Sequence, residues 1–302
     1  MPGPLRRETT RCSSTRLWHG HCAVPGTGPA EKVAYPWGVP TVTRISIAPV
    51  KGLALVHPDE VELDRTGVFA NRRFYIVDEN ERRYGQIRNG KLVEVKPSYD
   101  PKSEHLTLTF PDGTIADGPV QLGDEVTTDF YGRPVTGRIV FGPWAQALSS
   151  WFGRPLHLMQ SPPGRAVDRA RGHVSLISEG SLRELGRQAG QDEPVDGRRF
   201  RMLFQVDGLE AHGEDAWLRR RVRIGDALVL LRGTVGRCAI TMQNPETGVP
   251  DFNTLRVLKD YRGLSADRQL DFGVYGEVLE PGRVRVGDSV EPLELSLLDA
   301  TA

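Results

Sequence analysis

Hydrophobic and polar positions fall into two regimes that part near residue 41. Residues 1–40 are rich in Gly, Pro, Arg, Thr and Ser and follow neither a 2-residue nor a 3.6-residue period. Such a stretch buries too little apolar surface to offset chain entropy. It is expected to be disordered, or to come from a start codon assigned upstream of the true one. From Thr41 the pattern alternates: Thr43, Ile45 and Ile47 interleave with Val42, Arg44 and Ser46, a strand that stops at Pro49. Val61–Leu63 and Phe74–Val77 read as short strands with Gly67 in a turn between them. Leu106–Phe110 ends at Pro111-Asp112-Gly113-Thr114, and Val126–Phe130 and Val135–Ile139 flank Tyr131-Gly132-Arg133-Pro134. Both four-residue phrases carry turn chemistry.

Helical spacing is limited. Pro143–Phe152 places Trp144, Ala147, Leu148 and Trp151 on one face, and Gly153 stops it. Ser178–Ala189 is a second helix; Ser178 can cap it, although Ser181 with Glu184 fits capping-box spacing better. Leu203–Val206, Val222–Ile224, Ala227–Leu231 and Ala239–Met242 read as strands. Val222–Leu228 and Val284–Val290 share a strand, Gly-Asp turn, strand phrase, and Gln121–Val126 is a looser copy. Many short strands at close spacing predict a mainly β chain with a few helices, β-barrel-like in architecture.

The chain has 302 residues, 38% hydrophobic and 26% charged, with formal net charge zero. This allows two ordinary domains and offers no long-range attraction to nucleic acid or an anionic membrane. The run Arg219, Arg220, Arg221 and Arg223 lacks interleaved aromatics and reads as a solvated helix end or loop. Arg6-Arg7 could open an export signal, but Trp18–Val24 is too short and polar to complete one. No apolar run nears the roughly 20 residues a membrane span needs. Three cysteines, Cys12, Cys22 and Cys238, make a poor disulfide framework, so a reducing, cytoplasmic setting is expected.

Cys238 carries the candidate chemistry. It sits in Gly236-Arg237-Cys238-Ala239, followed by the turn Asn244-Pro245-Glu246-Thr247-Gly248. Buried free cysteines often serve as small hydrophobes. An adjacent arginine instead favours the thiolate, a nucleophile or soft metal ligand. With no second cysteine nearby an all-protein metal cage does not fit, whereas completing a pre-formed metal cofactor needs one thiolate. Lys51, Arg72, Arg73 and the trio Arg198, Arg199 and Arg201 are of the type that grips a phosphorylated cofactor. His57, His105 and His157 suggest no metal triad; His212 beside Glu214 and Asp215 allows a metal reading, and His173 could hydrogen-bond a ligand.

Taken together, Ile47-Ala48-Pro49-Val50-Lys51-Gly52, Asn71-Arg72-Arg73-Phe74, Arg199-Phe200-Arg201, Gly236-Arg237-Cys238, Asn244–Gly248 and Val286-Gly287-Asp288 resemble the MOSC family, and within it the mitochondrial amidoxime-reducing components and their bacterial relatives. The resemblance spans roughly residues 42–295. It implies a MOSC N-terminal β-barrel domain over 42–150 and a MOSC domain over 151–296. It implies the molybdenum cofactor (molybdopterin), with Cys238 as metal ligand and catalytic residue. Lys51, Arg73 and Arg201 would hold phosphate and pterin, with His173, Ser175, Ser178 and Arg237 close by. Pyridoxal phosphate binding is also associated with the family. Similar proteins reduce N-hydroxylated small molecules by two-electron removal of oxygen. Electrons would come from a separate ferredoxin-, flavodoxin- or cytochrome-type protein, since no cysteine follows Cys238. Two other family roles stay open: sulfur transfer through a Cys238 persulfide, and carriage of the cofactor. Gly52, Leu203 and Gly236 depart from the hydrogen-bonding residues of amidoxime-reducing relatives, each removing about 1 kcal/mol of contact.

Overall fold

Alternation becomes pleated sheet where it was legible, and the connections between strands decide the rest. The computed structural model describes residues 38–162 and 173–293. The first strands are β1 (Thr41–Ile45), β2 (Glu60–Leu63), β3 (Phe74–Asp78), β4 (Arg83–Tyr84) and β5 (Lys96–Asp100). Next come β6 (His105–Thr109), β7 (Ile115–Pro119), β8 (Gln121–Asp129), β9 (Pro134–Phe141) and helix α1 (Trp144–Phe152). After β10 (Leu156–Gln160) and β11 (Val174–Ser178) come α2 (Glu179–Gln188), β12 (Phe204–Asp207), β13 (Arg221–Ile224) and β14 (Ala227–Gly236). Helix α3 (Thr254–Arg262), β15 (Asp271–Glu280), β16 (Gly282–Arg285) and β17 (Val290–Pro292) complete the order. Residues 1–37, with Cys12, Cys22 and the expected disordered stretch, lie outside the described residues.

One sheet runs β1-β12-β11-β15-β14-β13-β17. Its two outer strands meet: Val42 N donates to Asp288 O at 2.9 Å, Gly287 N to Val42 O at 2.7 Å and Val290 N to Pro40 O at 2.8 Å. The sheet therefore curls into a nearly closed barrel, which removes its exposed edges. Val42, Leu176, Phe204, Ile224, Val229 and Val274 fill the interior. The sequence halves exchange strands. β1, from the first half, closes the barrel of the second. β10, from the second, pairs with β3 and β9 in the five-stranded sheet β4-β3-β10-β9-β8.

That second sheet packs with the three-stranded β5-β6-β7 and α1 around Phe74, Ile76, Leu92, Leu108, Trp144 and Leu158. Helix α1 ends as its spacing predicts, with Gly153 in the left-handed region at φ 66°. Trp144 is fully buried, and its indole N–H donates to Leu106 O at 3.2 Å. A large ring with its polar atom satisfied stabilises by about 3 kcal/mol.

Several expectations needed correction. Ser178, not Ser181, caps α2: its hydroxyl accepts from Ser181 N. Ala239–Met242 is a 3₁₀ turn rather than a strand. Gln121–Val126 is not a turn but a stretch of β8 whose register slips against β9 between Leu122 and Glu125. Arg221 and Arg223 lie in strand β13, with Arg223 reaching Glu280 at 3.3 Å, rather than at a helix end or in a loop.

Candidate functional site

Cys238 follows the end of β14. Arg237 N still pairs with Leu270 O at 2.9 Å, and Cys238 then takes an extended conformation and opens the 3₁₀ turn. Thr241 fixes it from below, its N and Oγ1 donating to Cys238 O at 3.1 and 3.0 Å. Thr241 Oγ1 is also 2.6 Å from Thr254 Oγ1, a buried contact to the first residue of α3. Cys238 is a free, exposed thiol lining a cleft of about 550 Å³.

The cleft is cationic. Lys51, Arg72, Arg83, Arg88, Arg199, Arg201 and Arg237 line it, and no Asp or Glu does so among the described residues. Most of these cations are also used in the fold. Arg88 pairs with Asp78 at 2.6 Å and Arg199 with Asp251 at 2.6 Å. Arg201 Nη2 donates to Leu53 O at 2.7 Å, and Arg72 Nη2 to Arg201 O at 3.2 Å. Arg237 spans two walls: its guanidinium donates to Phe272 O, to Phe200 O at 3.1 Å and to Met202 Sδ at 3.0 Å. Arg72 and Arg201 both hold left-handed backbone, φ 56° and 51°. Strain of this kind, worth about 1 kcal/mol or more per residue, concentrates at functional sites. Cations without lining carboxylates suit an anionic ligand.

His173 and Ser175 line the same cleft. Burial holds the His173 imidazole below its ordinary pKa, so it is neutral near pH 7. Its Nδ1 is buried and has no hydrogen-bond partner among the described residues. Ser175 Oγ accepts from Leu203 N at 3.0 Å, tying β11 to the start of β12.

Lys51, His173, Ser175, Arg201, Arg237 and Cys238 thus come together as expected. Two other sequence candidates do not join them. Arg73 is buried away from the cleft, with Nη1 donating to Ser161 O at 2.9 Å and its guanidinium 4.8 Å from the centre of the Phe69 ring. The left-handed turn at Arg72 puts that neighbour in the cleft instead. Ser178 is fully buried; its hydroxyl donates to Glu214 at 2.7 Å and accepts the α2 cap. The supposed metal trio is differently engaged: the His212 ring meets Arg262 Nη1 and lies 3.3 Å from Tyr261 Oη, while Asp215 pairs with Arg262 at 2.7 Å.

The departures also resolve. Gly52 sits at φ 94°, where any side chain is strained. Beside Gly236, a Cβ would come 2.9 Å from Gln269 Oε1, so Gln269 occupies that space in the cleft. Leu203 is a buried barrel-core residue, so its position leaves the cleft intact. Sequence reasoning missed Arg83, Gln86, Arg88, Tyr131 and Gln269, which line the cleft only because the sheets bring distant segments together. The one local signal was the turn phrase at Tyr131.

The fold and site define a class: a mainly β protein of interleaved barrel-like sheets with one exposed thiol in a cationic cleft. The chain belongs to the MOSC family. A MOSC domain matches residues 151–291 and a MOSC N-terminal beta barrel domain residues 39–155. The Mitochondrial amidoxime-reducing component 1 of Xenopus laevis is 32% identical over 334 residues, covering 95% of each chain. That of Mus musculus is 25% identical over 292 residues, covering 83% of this chain and 82% of the relative. The human Molybdenum cofactor sulfurase is 22% identical over 294 residues, covering 85% of this chain but 32% of the relative. Among the described residues no helix is long and apolar enough to cross a membrane.

Proposed function

We propose that this chain is a molybdenum-cofactor-dependent oxidoreductase that reduces N–O or similar X–O bonds of small molecules. The observation that carries this reading is the exposed Cys238 thiol in a cleft lined by cations and by no carboxylate among the described residues. The residues present fit such a group. A thiolate is the soft ligand molybdenum takes, and arginines match phosphate oxygens in pairs. The partnerless His173 Nδ1 offers one more polar contact.

In this reading Cys238 ligates the metal. Lys51, Arg72 and Arg201 hold phosphate and pterin, Arg72 taking the part that the family resemblance implied for Arg73. Arg237 keeps the walls aligned through the carbonyls of Phe272 and Phe200. Neutral His173 and Ser175 present hydrogen bonds beside the thiolate. When bound, the cofactor supplies two-electron redox chemistry that removes oxygen from the substrate; the protein's part is to bind, orient and tune. Electrons come from a separate donor protein, and the setting is the cytoplasm.

The test is metal analysis of protein purified from a cofactor-producing host, beside Cys238→Ala. About one molybdenum per chain, lost in the variant, is expected, with benzamidoxime reduced by the wild type given an artificial donor. Metal absent from both samples overturns the reading. The exposure of Cys238 and the similarity to a cofactor sulfurase then favour sulfur transfer, read as a gain of one sulfur mass on Cys238.

A further inference from the structure

Arg83, on β4, differs from the other cleft arginines in what surrounds it. The rest pair with carboxylates or donate to main-chain carbonyls, as described above. Around Arg83 the described neighbours are rings. Its guanidinium carbon lies 3.8 Å from the Tyr131 ring centroid and 5.4 Å from that of Phe130. Its Nη1 is buried and has no hydrogen-bond partner among the described residues. A buried donor left unsatisfied costs about 1–3 kcal/mol. The ring face attracts the cation but supplies no acceptor in the guanidinium plane.

Tyr131 is placed there against its own preference. It occupies the first of two left-handed positions in the β8–β9 turn, with φ 58° followed by Gly132 at 80°. Phe130 N and Arg133 O close that turn at 2.8 Å. Such a turn favours Asn, Asp or Gly at this position, and a bulky residue adds about 1 kcal/mol of strain. The turn nevertheless holds an aromatic ring, 62% exposed, over the guanidinium. Ile87, 61% exposed, lines the same cleft and adds an apolar face. Strain and an orphaned charged donor at one place point to a ligand that relieves the second.

We propose that Arg83 and Tyr131 form a substrate-recognition subsite for a planar organic anion. Its flat body lies along Tyr131 and Ile87, and its carboxylate accepts from the Arg83 guanidinium, Nη1 turning toward the cleft to share it. Resting on the reductase reading, this narrows the substrate class to conjugated N-oxygenated molecules that carry a carboxylate.

The test uses molybdenum-loaded wild type, Arg83→Gln, Arg83→Lys and Tyr131→Leu. KM is measured for benzamidoxime and 4-carboxybenzamidoxime. Binding of benzamidine and 4-amidinobenzoate is measured by calorimetry. The wild type is expected to prefer the carboxylated member of each pair by about tenfold. Arg83→Gln abolishes that preference, Arg83→Lys keeps part of it, Tyr131→Leu weakens it, and molybdenum content stays constant. If the wild type shows no preference, or the preference survives Arg83→Gln, the proposal is overturned. Loss of molybdenum in Arg83→Gln also overturns it, since the anion is then the cofactor's phosphate. If neither oxime is reduced but the amidine preference appears and falls in Arg83→Gln, the reductase reading fails and the subsite stands.

Discussion

Gly90 and Gly248 meet backbone to backbone. A Cβ on Gly90 would come 2.8 Å from the carbonyl carbon of Gly248, and one on Gly248 would come 2.8 Å from the Cα of Gly90. The first glycine ends a segment carrying Gln86, Ile87 and Arg88; the second follows Cys238 by ten residues. Gln243 Nε2 donates to Gln86 O at 3.0 Å and reinforces the join. Two cleft-lining segments far apart in sequence are thus held together by an approach that only glycine permits.

Alanine at either position should push these segments apart. Overpacking a close contact costs about 1–3 kcal/mol. Gly248→Ala should be the worse, because its φ of 69° adds about 1 kcal/mol of left-handed strain. Once one side has moved, the second substitution meets less resistance, so the double variant should lose less than the sum. Urea midpoints of the three variants check this; additive losses would show that the glycines do not act through each other.

Neighbouring arginines 72 and 73 should fail in different ways. Arg73 is buried, bonded to Ser161 O and stacked by Phe69, so Arg73→Leu should cost about 2–3 kcal/mol of stability, leaving Ser161 O unpaired. Arg72→Gln should leave the unfolding free energy within about 1 kcal/mol of wild type and lower molybdenum content instead. Midpoint and metal content, measured on both variants, settle the assignment. Metal loss in Arg73→Leu at unchanged stability would restore the sequence-based choice.

That pair shows where the sequence stopped being legible. Period-2 patterning marked β1 and β6, a short apolar run marked β3, turn residues marked the β8–β9 turn, and Trp144, Leu148 and Gly153 marked α1, because those signals are local. Cys238 stood out through its lone thiol and flanking glycine and arginine. Which of Arg72 and Arg73 faces the cleft hinges on one left-handed φ that no periodicity reports. Arg83 and Tyr131 enter the same cleft because β10 pairs with both β3 and β9, and the β3–β10 pairing is non-local. Helix α3 was overlooked despite an Asn253 cap, a Gly263 stop and Leu255, Leu258 and Tyr261 at helical spacing.

Serine placed at positions 52 and 236 should give unequal results. At Gly52 the backbone sits at φ 94° and neighbours stand at ordinary contact distance, so Gly52→Ser meets strain of about 1–2 kcal/mol rather than a clash. At Gly236 the obstacle is the flexible end of Gln269, which can turn aside. Gly236→Ser should therefore unfold close to wild type. Thermal melts of the two variants test this ordering, and a reversed order would show that Gln269 is held more firmly than its contacts imply.

Glu214 should make stability fall as pH rises. Burial lifts its carboxyl above the ordinary 4.5, outweighing hydrogen bonds from Ser178 and Ser181 that favour the charged form. A raised folded pKa means that the folded state holds the proton longer than the unfolded chain does. The stabilisation is then complete below about pH 4.5 and is lost as pH climbs through the raised folded value. Within that window the slope approaches about 1.4 kcal/mol per pH unit. Glu214→Gln keeps the shape without the titration, and the serine hydroxyls, 2.7 and 2.8 Å from the carboxylate, can rotate to accept its amide protons. Denaturant midpoints at pH 5, 6, 7 and 8 should show the variant gaining on the wild type with each step until the curves run parallel. Curves parallel from pH 5 upward would mean that Glu214 is charged in the folded protein despite its burial.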